Sequence, residues 1–305
     1  MKEFYSNGKL LLTGEYAVLD GALSLGLPTK YGQHLKVSEN HTQQIIWKSL
    51  DDRGNVWFEG IFETNSLREI ASSDTDISRI LAKILTEANT LNTSFLKNTG
   101  GCTVETKLNF PRDWGLGSSS TLINNVAQWA NIDAYTLLRN AFSGSGYDVA
   151  CAKHDTPITY QLINSEPIVE KIAFYPSFRD SLFFVYLNKK QNSREGIAKY
   201  KNQAFDTKKL VTTISEITSK VILCKELSEF EELMLKHEKS LSQILNIPNI
   251  KESLFSDYQD GAIKSLGAWG GDFILATGNE KTPEYFKSKG FMTIVPYSEM
   301  ILPSW

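Results

Sequence analysis

A short loop of glycines and serines that leads directly into a helical pattern constrains this 305-residue chain most strongly. The loop reads DWGLGSSST at residues 113–121, and apolar residues at nearly helical spacing follow it. The first N–H groups of a helix lack intrahelical partners and carry the positive end of the helix dipole, so they favour an anion. Gly115 and Gly117 have no Cβ atoms to obstruct a phosphate, and serine hydroxyls can bind phosphate or magnesium. The alternative is an ordinary helix that Ser118 caps after a glycine turn.

The elements around the loop favour phosphate binding. Residues 102–108 alternate between apolar and polar side chains, which predicts a strand that runs into the loop. No Gly-Lys-Ser/Thr follows the glycines, so the segment is not a Walker loop. Further strands are predicted at residues 9–12, 34–37, 44–47 and 56–58. A helix is predicted over 77–91, with Asp74 or Asp76 as its cap.

After Tyr175-Pro176 the pattern changes, and a second domain is predicted to begin. Strands are predicted at residues 182–187, 273–276 and 292–295, and helices at 208–223, 227–245 and 283–289. We therefore divide the chain into an N-terminal domain, 1–176, and a C-terminal domain, 177–305.

Two other segments carry charged residues next to glycines. One is NGKLLLTGEYAVL at 7–19, with Lys9 and Glu15, and the other is SGSGYDVACA at 143–152, with Asp148. A lysine beside a strand is usually a solvated charge, and an aspartate after glycines can simply cap a helix. A carboxylate next to an acceptor hydroxyl can instead orient it and accept its proton, and a lysine can stabilise the developing charge.

The loop resembles the signature Pro-x-x-x-Gly-Leu-Gly-Ser-Ser-Ala/Ser of the GHMP kinases, the superfamily of galactokinase, homoserine kinase, mevalonate kinase and phosphomevalonate kinase. The resemblance implies an α+β two-domain GHMP fold, with an N-terminal domain like domain 2 of ribosomal protein S5 and a ferredoxin-like C-terminal domain. It also implies ATP and Mg²⁺ as cofactors. In that family the loop binds the ATP phosphates, and the residues that match it here are Gly115, Leu116, Gly117, Ser118, Ser119 and Ser120. Ser119 is also the implied metal ligand.

The other segments resemble further motifs of the same family. The resemblance makes Lys9 and Asp148 the catalytic pair. It places acceptor-binding residues at Glu15, Tyr16, Ser143, Ser145, Lys190, Arg194, Gly270 and Gly271. Glu15 fits either as a partner that orients Lys9 or as a wall of the acceptor pocket. Lys190 and Arg194 fit a phosphorylated acceptor, because a phosphomonoester carries nearly two negative charges and Arg can bind it with two parallel hydrogen bonds.

The sequence departs from the family pattern in two places. In residues 264–273, KSLGAWGGDF, Trp269 interrupts what is normally a fuller run of glycines. Mevalonate-type members also supply a magnesium-binding glutamate between the phosphate loop and the catalytic aspartate, where this chain has only Asp133.

Composition excludes several classes of function. A formal charge of −3 and the absence of a Lys/Arg run give no footprint for nucleic acid. No apolar stretch is long enough to span a bilayer and the N-terminus lacks a signal-peptide pattern, so we expect a cytoplasmic protein with a small-molecule substrate. Cys102, Cys151 and Cys224 are odd in number and widely spaced, which argues against disulfides or zinc and favours burial.

These features together predict phosphoryl transfer from Mg-ATP to a small acceptor, with phosphomevalonate favoured. That preference comes from Tyr16 and from the segments GYDVA at 146–150 and GGD at 270–272, which resemble the phosphomevalonate kinase branch. Mevalonate kinase or another small-alcohol kinase is the alternative. A non-catalytic nucleotide-binding relative and a mevalonate-type decarboxylase share the fold and complete the alternatives.

Overall fold

The computed structural model describes residues 1–97, 100–142, 144–190, 193–267, 269 and 271–303, without the side chains of Ser193 and Arg194. The chain forms two compact units. The first unit comprises Met1–Gly8, Tyr31–Arg112 and Leu116–Lys153, and the second comprises Lys9–Lys30, Asp113–Gly115 and His154–Trp305. The predicted boundary between residues 176 and 177 stays a prediction.

Runs of strands and runs of helices follow one another along the described part of the chain. The strands are β1 Lys2–Thr13, β2 Ser24–Glu39, β3 Gln44–Leu50, β4 Val56–Glu63, β5 Glu69–Ser72, β6 Cys102–Leu108, β7 Ile158–Ile163, β8 Glu166–Lys171, β9 Leu182–Tyr186, β10 Ile263–Ser265, β11 Phe273–Thr277 and β12 Ile294–Pro296. The helices are α1 Thr75–Leu91, α2 Ser118–Ala130, α3 Ala134–Ala141, α4 Tyr147–Lys153, α5 Ser193–Lys201, α6 Thr207–Leu223, α7 Leu227–Leu245, α8 Ile250–Leu254, α9 Thr282–Ser288 and α10 Tyr297–Met300.

The first unit is a sheet covered by helices. Its strands lie in the order β5-β4-β3-β6-β2, and the β3–β6 pair is parallel while the other neighbours are antiparallel. Alternate residues of β3 and β6 are buried, and their apolar side chains join those of α1 to α3 in one core. Asp74 caps α1 by accepting the N–H groups of Asp76 and Ile77, so of the two predicted caps Asp74 is correct.

The second unit contains an antiparallel sheet in the order β10-β11-β9-β12. Along the chain, helices follow β9, the pair β10 and β11 comes next, and α9 precedes β12. This β-α-β-β-α-β order is the ferredoxin-like arrangement, so the predicted α+β class and the C-terminal fold are confirmed. The unit also contains the β7–β8 hairpin, whose strand β7 pairs with Ser24–Gly26 of β2.

Sequence patterns located most elements but not the length of β2. Only residues 34–37 were predicted as strand, whereas β2 begins at Ser24. The first six residues of β2 are all buried, and they include Gly26 and Pro28, residue types that argue against a strand when only the sequence is read.

Two expectations about composition are also met within the described residues. Cys102, Cys151 and Cys224 are free and buried. Among the helices that the structure describes, none is both long and apolar enough to cross a bilayer.

Candidate functional site

The glycine–serine loop ends where α2 begins, at Gly117. Gly117 is the N-cap and has φ 88°, a left-handed conformation that glycine adopts without steric cost. A glycine cap has no side chain to accept the N–H groups of the first helical turn, whereas Asp74 and Asp133 cap α1 and α3. The alternative prediction, a helix capped by Ser118, is therefore wrong, because Ser118 is already the first helical residue. Gly117 therefore provides no side-chain acceptor for the N–H groups in the first turn of α2.

The loop also contains a glycine that no other residue could replace without strain. Gly115 has φ 67°, and a Cβ atom built on it would lie 2.4 Å from Cγ of Asp272. Both residues belong to the second unit. The Asp272 carboxylate therefore lies directly against the loop backbone, and the N–H of Asp272 donates to the carbonyl of Lys189 at 2.7 Å.

A buried polar network fixes α2 against β1 and β2 in the first unit. The hydroxyl of Thr121 donates to Gln33 Oε1 at 2.7 Å, and Asn125 Nδ2 donates to the Gln33 carbonyl at 2.9 Å. Asn125 Oδ1 accepts the Ser6 hydroxyl at 2.8 Å, and Asn124 Nδ2 donates to the Ser6 hydroxyl oxygen at 2.9 Å. Because buried polar groups cost free energy when unpaired, this mutual satisfaction sets the helix position closely.

The same network reaches the helix that carries Asp148. Asn124 Nδ2 also donates to the carbonyl of Ala152 at 3.2 Å, near the end of α4. Asp148 lies half-buried in the first turn of that helix, and Ser145 is half-buried just before it. Asp133, the acid between the loop and Asp148, accepts the N–H and hydroxyl of Thr136 as a helix cap.

The segment at residues 7–19, called the first-motif segment below, belongs to the second unit from Lys9 onward. In it, β1 ends in a turn. Lys9 is half-buried on β1, and Tyr16 follows the strand with φ 60°. Such a backbone is strained for an aromatic residue, so the surroundings must hold it. The Tyr16 ring stacks on Tyr200 with centroids 5.5 Å apart, and its hydroxyl accepts the N–H of Trp269 at 3.0 Å. Burial raises the pKa of this hydroxyl.

Glu15 lies in the same turn and is only 2% exposed. Its carboxylate forms an ion pair with Lys264 Nζ at 2.5 Å. The partner that the structure gives Glu15 is thus a lysine of residues 264–273, called the third-motif segment below. The predicted roles beside Lys9 or in an acceptor pocket stay predictions.

The structure describes some of the remaining predicted residues but not others. Lys190 is exposed after β9, and Gly271 lies in the bend before β11. Trp269, which interrupts the glycine run, is 9% exposed and turns its N–H toward Tyr16. Ser143, Gly270 and the side chain of Arg194 lie outside the described residues.

Sequence reasoning missed the polar residues that support these segments. Gln33, Asn124 and Asn125 are at most 3% exposed. Lys264 is 1% exposed, a burial that its motif did not indicate. The available signal was their position, since Asn124 and Asn125 stand between the apolar residues Ile123 and Val126 on the inward face of α2.

Within the described residues, the structure holds no cluster of three or more His, Cys, Asp or Glu side chains that could bind a metal ion. Hydroxyls such as that of Ser119, together with phosphate oxygens, are suitable ligands for magnesium.

Comparison with solved structures identifies the fold. Methanococcus jannaschii mevalonate kinase matches with a TM-score of 0.73 and 17% identity over 99% of this chain and 98% of that one. Streptococcus pneumoniae phosphomevalonate kinase, solved with phosphomevalonate and AMPPNP, matches with a TM-score of 0.72 and 16% identity over 97% and 100%. Lactococcus lactis galactokinase, solved with galactose, matches with a TM-score of 0.66 and 12% identity over 99% and 94%. No family model and no curated protein sequence matches the chain. The chain thus has the fold of the GHMP kinases, as its motifs indicated.

Proposed function

We propose that this protein is an ATP-dependent GHMP kinase that phosphorylates a small hydroxyl acceptor, most favourably phosphomevalonate. The observation that carries the proposal is the glycine cap of α2, which leaves the first-turn N–H groups without a side-chain acceptor at the end of the signature loop. Full-length likeness to mevalonate, phosphomevalonate and galactose kinases supports the same class of reaction.

The residues present fit a nucleotide phosphate chain. Gly115 and Gly117 both have positive φ, and at the start of α2 Ser118 is half-buried and Ser119 is exposed. In the proposed role, the loop N–H groups and these hydroxyls bind the phosphates, and Ser119 contributes an oxygen to magnesium. Mg-ATP, when bound, supplies the transferable phosphoryl group.

Asp148 and Lys9 have the chemical properties that the transfer requires. Asp148 orients the acceptor hydroxyl and accepts its proton as the new P–O bond forms. Lys9 stabilises the negative charge that develops on the transferring group. A module that only binds nucleotide needs neither group, which favours an enzyme over a sensor.

The acceptor preference rests on the cations after β9 and on the branch-like motif residues. Lys190 is an exposed cation there, and Arg194 follows in α5. Two cations suit an acceptor that already carries a phosphate. Mevalonate, whose carboxylate is a single charge, is the second candidate acceptor, favoured by the likeness to mevalonate kinase.

The first test is ADP release with Mg-ATP against mevalonate, phosphomevalonate, homoserine and galactose. We expect turnover on phosphomevalonate, and a loss of at least about 100-fold in kcat for Asp148→Ala with nucleotide binding retained. Asp76→Ala is the matched control, because Asp76 also lies in the first turn of a helix and is exposed. Full activity of Asp148→Ala would remove Asp148 from the mechanism.

Lys9→Met provides an independent arm of the same assay. We expect a fall in kcat of at least about tenfold without unfolding, since charge stabilisation is lost while the strand keeps an apolar side chain of similar length. Lys2→Met, an exposed position on the same strand, is the control. Turnover on mevalonate alone would identify the unphosphorylated alcohol as the acceptor. Release of carbon dioxide would identify a decarboxylase.

A further inference from the structure

Four buried titratable side chains form a network in the second unit that the proposed chemistry does not use. Glu15, His237, Glu238 and Lys264 are each at most 2% exposed. Glu15 comes from the turn after β1, His237 and Glu238 are consecutive residues of α7, and Lys264 lies on β10. Burial of so many charged groups usually costs more than apolar packing, so their contacts require an explanation.

The two residues of α7 each bind the backbone of a different motif segment. His237 Nε2 accepts the N–H of Gly14 at 2.9 Å. Glu238 accepts the N–H of Ser265 at 3.2 Å through Oε2 and the Ser265 hydroxyl at 3.0 Å through Oε1. One helix turn therefore holds both the first-motif turn and the end of β10, where the third-motif segment begins.

Lys264 joins these two segments directly. Its ammonium contacts Glu15 Oε1 at 2.5 Å and donates to the Ser265 carbonyl at 2.8 Å. Glu15 Oε2 lies 3.3 Å from His237 Nε2, but both atoms are acceptors when the imidazole is neutral, so this pair is not a hydrogen bond. The strained residue Tyr16 is adjacent to Glu15, and its hydroxyl accepts the N–H of Trp269 from the third-motif segment. The two segments are thus connected to each other at two places and to α7 at two places.

The electrostatics of the network suit acceptance of the backbone N–H groups. Burial lowers the pKa of His237 well below its usual value, so the imidazole is neutral and its Nε2 is free to accept the Gly14 N–H. Burial also raises the pKa of Glu15, and the Lys264 ammonium opposes that rise. An apolar residue at position 237 or 238 could fill the same volume but could not accept a backbone N–H.

We propose that His237 and Glu238 are positioning residues, which fix the Gly14–Tyr16 turn and the Lys264–Gly267 segment in the geometry that the kinase reaction needs. This inference rests on the proposed function, because it assigns the two segments to the reaction. Neither residue is a catalytic residue, since each acts through the backbone that it holds. A displacement of about 1 Å in such a segment can cost on the order of 100-fold in rate.

The test compares three variants at α7 with a control on the same helix. Glu238→Ala and His237→Phe remove the acceptors of the Ser265 and Gly14 N–H groups, whereas Glu238→Gln keeps an acceptor oxygen for Ser265. Glu232→Ala, at an exposed position of α7, is the control. The readouts are amide hydrogen exchange of the segments 14–16 and 264–267, and kcat and KM for nucleotide and acceptor.

We expect exchange in the affected segment to rise at least about tenfold in Glu238→Ala and His237→Phe, with kcat falling by a similar factor and KM for nucleotide changing less. Glu238→Gln should stay within about twofold of the unmodified protein in both readouts. If Glu238→Ala does not fold, His237→Phe and Glu238→Gln still provide the comparison.

Two outcomes would overturn the assignment. One is unchanged exchange at 14–16 and 264–267 in folded His237→Phe and Glu238→Ala, and the other is an equal loss in Glu238→Gln and Glu238→Ala. Failure of the proposed function is read separately, from the unmodified protein, as absence of turnover on every acceptor. The exchange measurement still decides whether α7 holds the two segments.

Discussion

Gly115 combines two constraints at one position. Its φ of 67° disfavours every L-residue, and a Cβ there would lie 2.4 Å from Asp272 Cγ. From the sequence, Gly115 is expected to bind phosphate, because a glycine lets the backbone approach a phosphate closely. The structure adds that a carboxylate of the third-motif segment already occupies the space next to it.

We predict that Gly115→Ala weakens nucleotide binding, because the loop or the Asp272 side chain must shift to separate the new methyl group from the carboxylate. The expected result is a loss of at least about tenfold in ATP affinity, measured by calorimetric titration. Gly54→Ala is the control, because Gly54 has φ 85° and no atom within 4 Å of its Cβ position. This control isolates the conformational penalty of a positive φ. Equal ATP affinity in the two variants would show that contact with Asp272 has no effect.

At the level of elements, α2 contributes in two ways. Its N-terminus carries the loop, and its inward face carries Asn124 and Asn125 among apolar residues. The helix itself could be predicted from the spacing of its apolar residues. The partners of its asparagines could not, because Ser6 and Gln33 are about 90 to 120 positions away in sequence, at separations that no local pattern reports.

We expect Asn125→Ala to lower the free energy of unfolding by about 1–3 kcal/mol, because it leaves the Gln33 carbonyl and the Ser6 hydroxyl without their buried partner. Lys83→Ala, at an exposed position of α1, should change it by less than about 0.5 kcal/mol. Urea unfolding followed by circular dichroism measures both values. A matching small effect at the two positions would mean that the polar network does not secure α2.

At the scale of the whole molecule, the buried network makes stability depend on pH. Burial raises the pKa of Glu238 from 4.5 to about 7, while Lys264 and the hydrogen bonds from Ser265 oppose the rise and Glu15 adds to it. Between these two values the native state keeps a proton that the unfolded state releases. The contribution of Glu238 to stability therefore falls as pH rises from about 4.5 to about 7, and is constant above that range. His237, whose pKa is lowered, has the opposite slope.

We predict that Glu238→Gln removes this dependence while leaving that of His237 unchanged. The difference in unfolding free energy between the unmodified protein and Glu238→Gln should change by up to about 3 kcal/mol from pH 4.5 to pH 7.5, with the variant gaining relative stability as pH rises. Urea unfolding at a series of pH values gives this difference, and Glu232→Gln, at an exposed position, should run parallel to the unmodified protein. Parallel curves for Glu238→Gln would contradict the raised pKa.

The sequence by itself determined the features that depend on local chemistry. Glycines and serines before a helical pattern indicated the loop, periodicity located most of the strands and half of the helices, and four motifs indicated the GHMP fold that structural likeness over at least 97% of the chain then confirmed. Only the tertiary structure decided which distant polar groups meet. It placed Lys264 on Glu15 and the Glu238 side chain on Ser265, because the free-energy cost of burying unpaired polar groups is settled by partners in space rather than by neighbours in the chain.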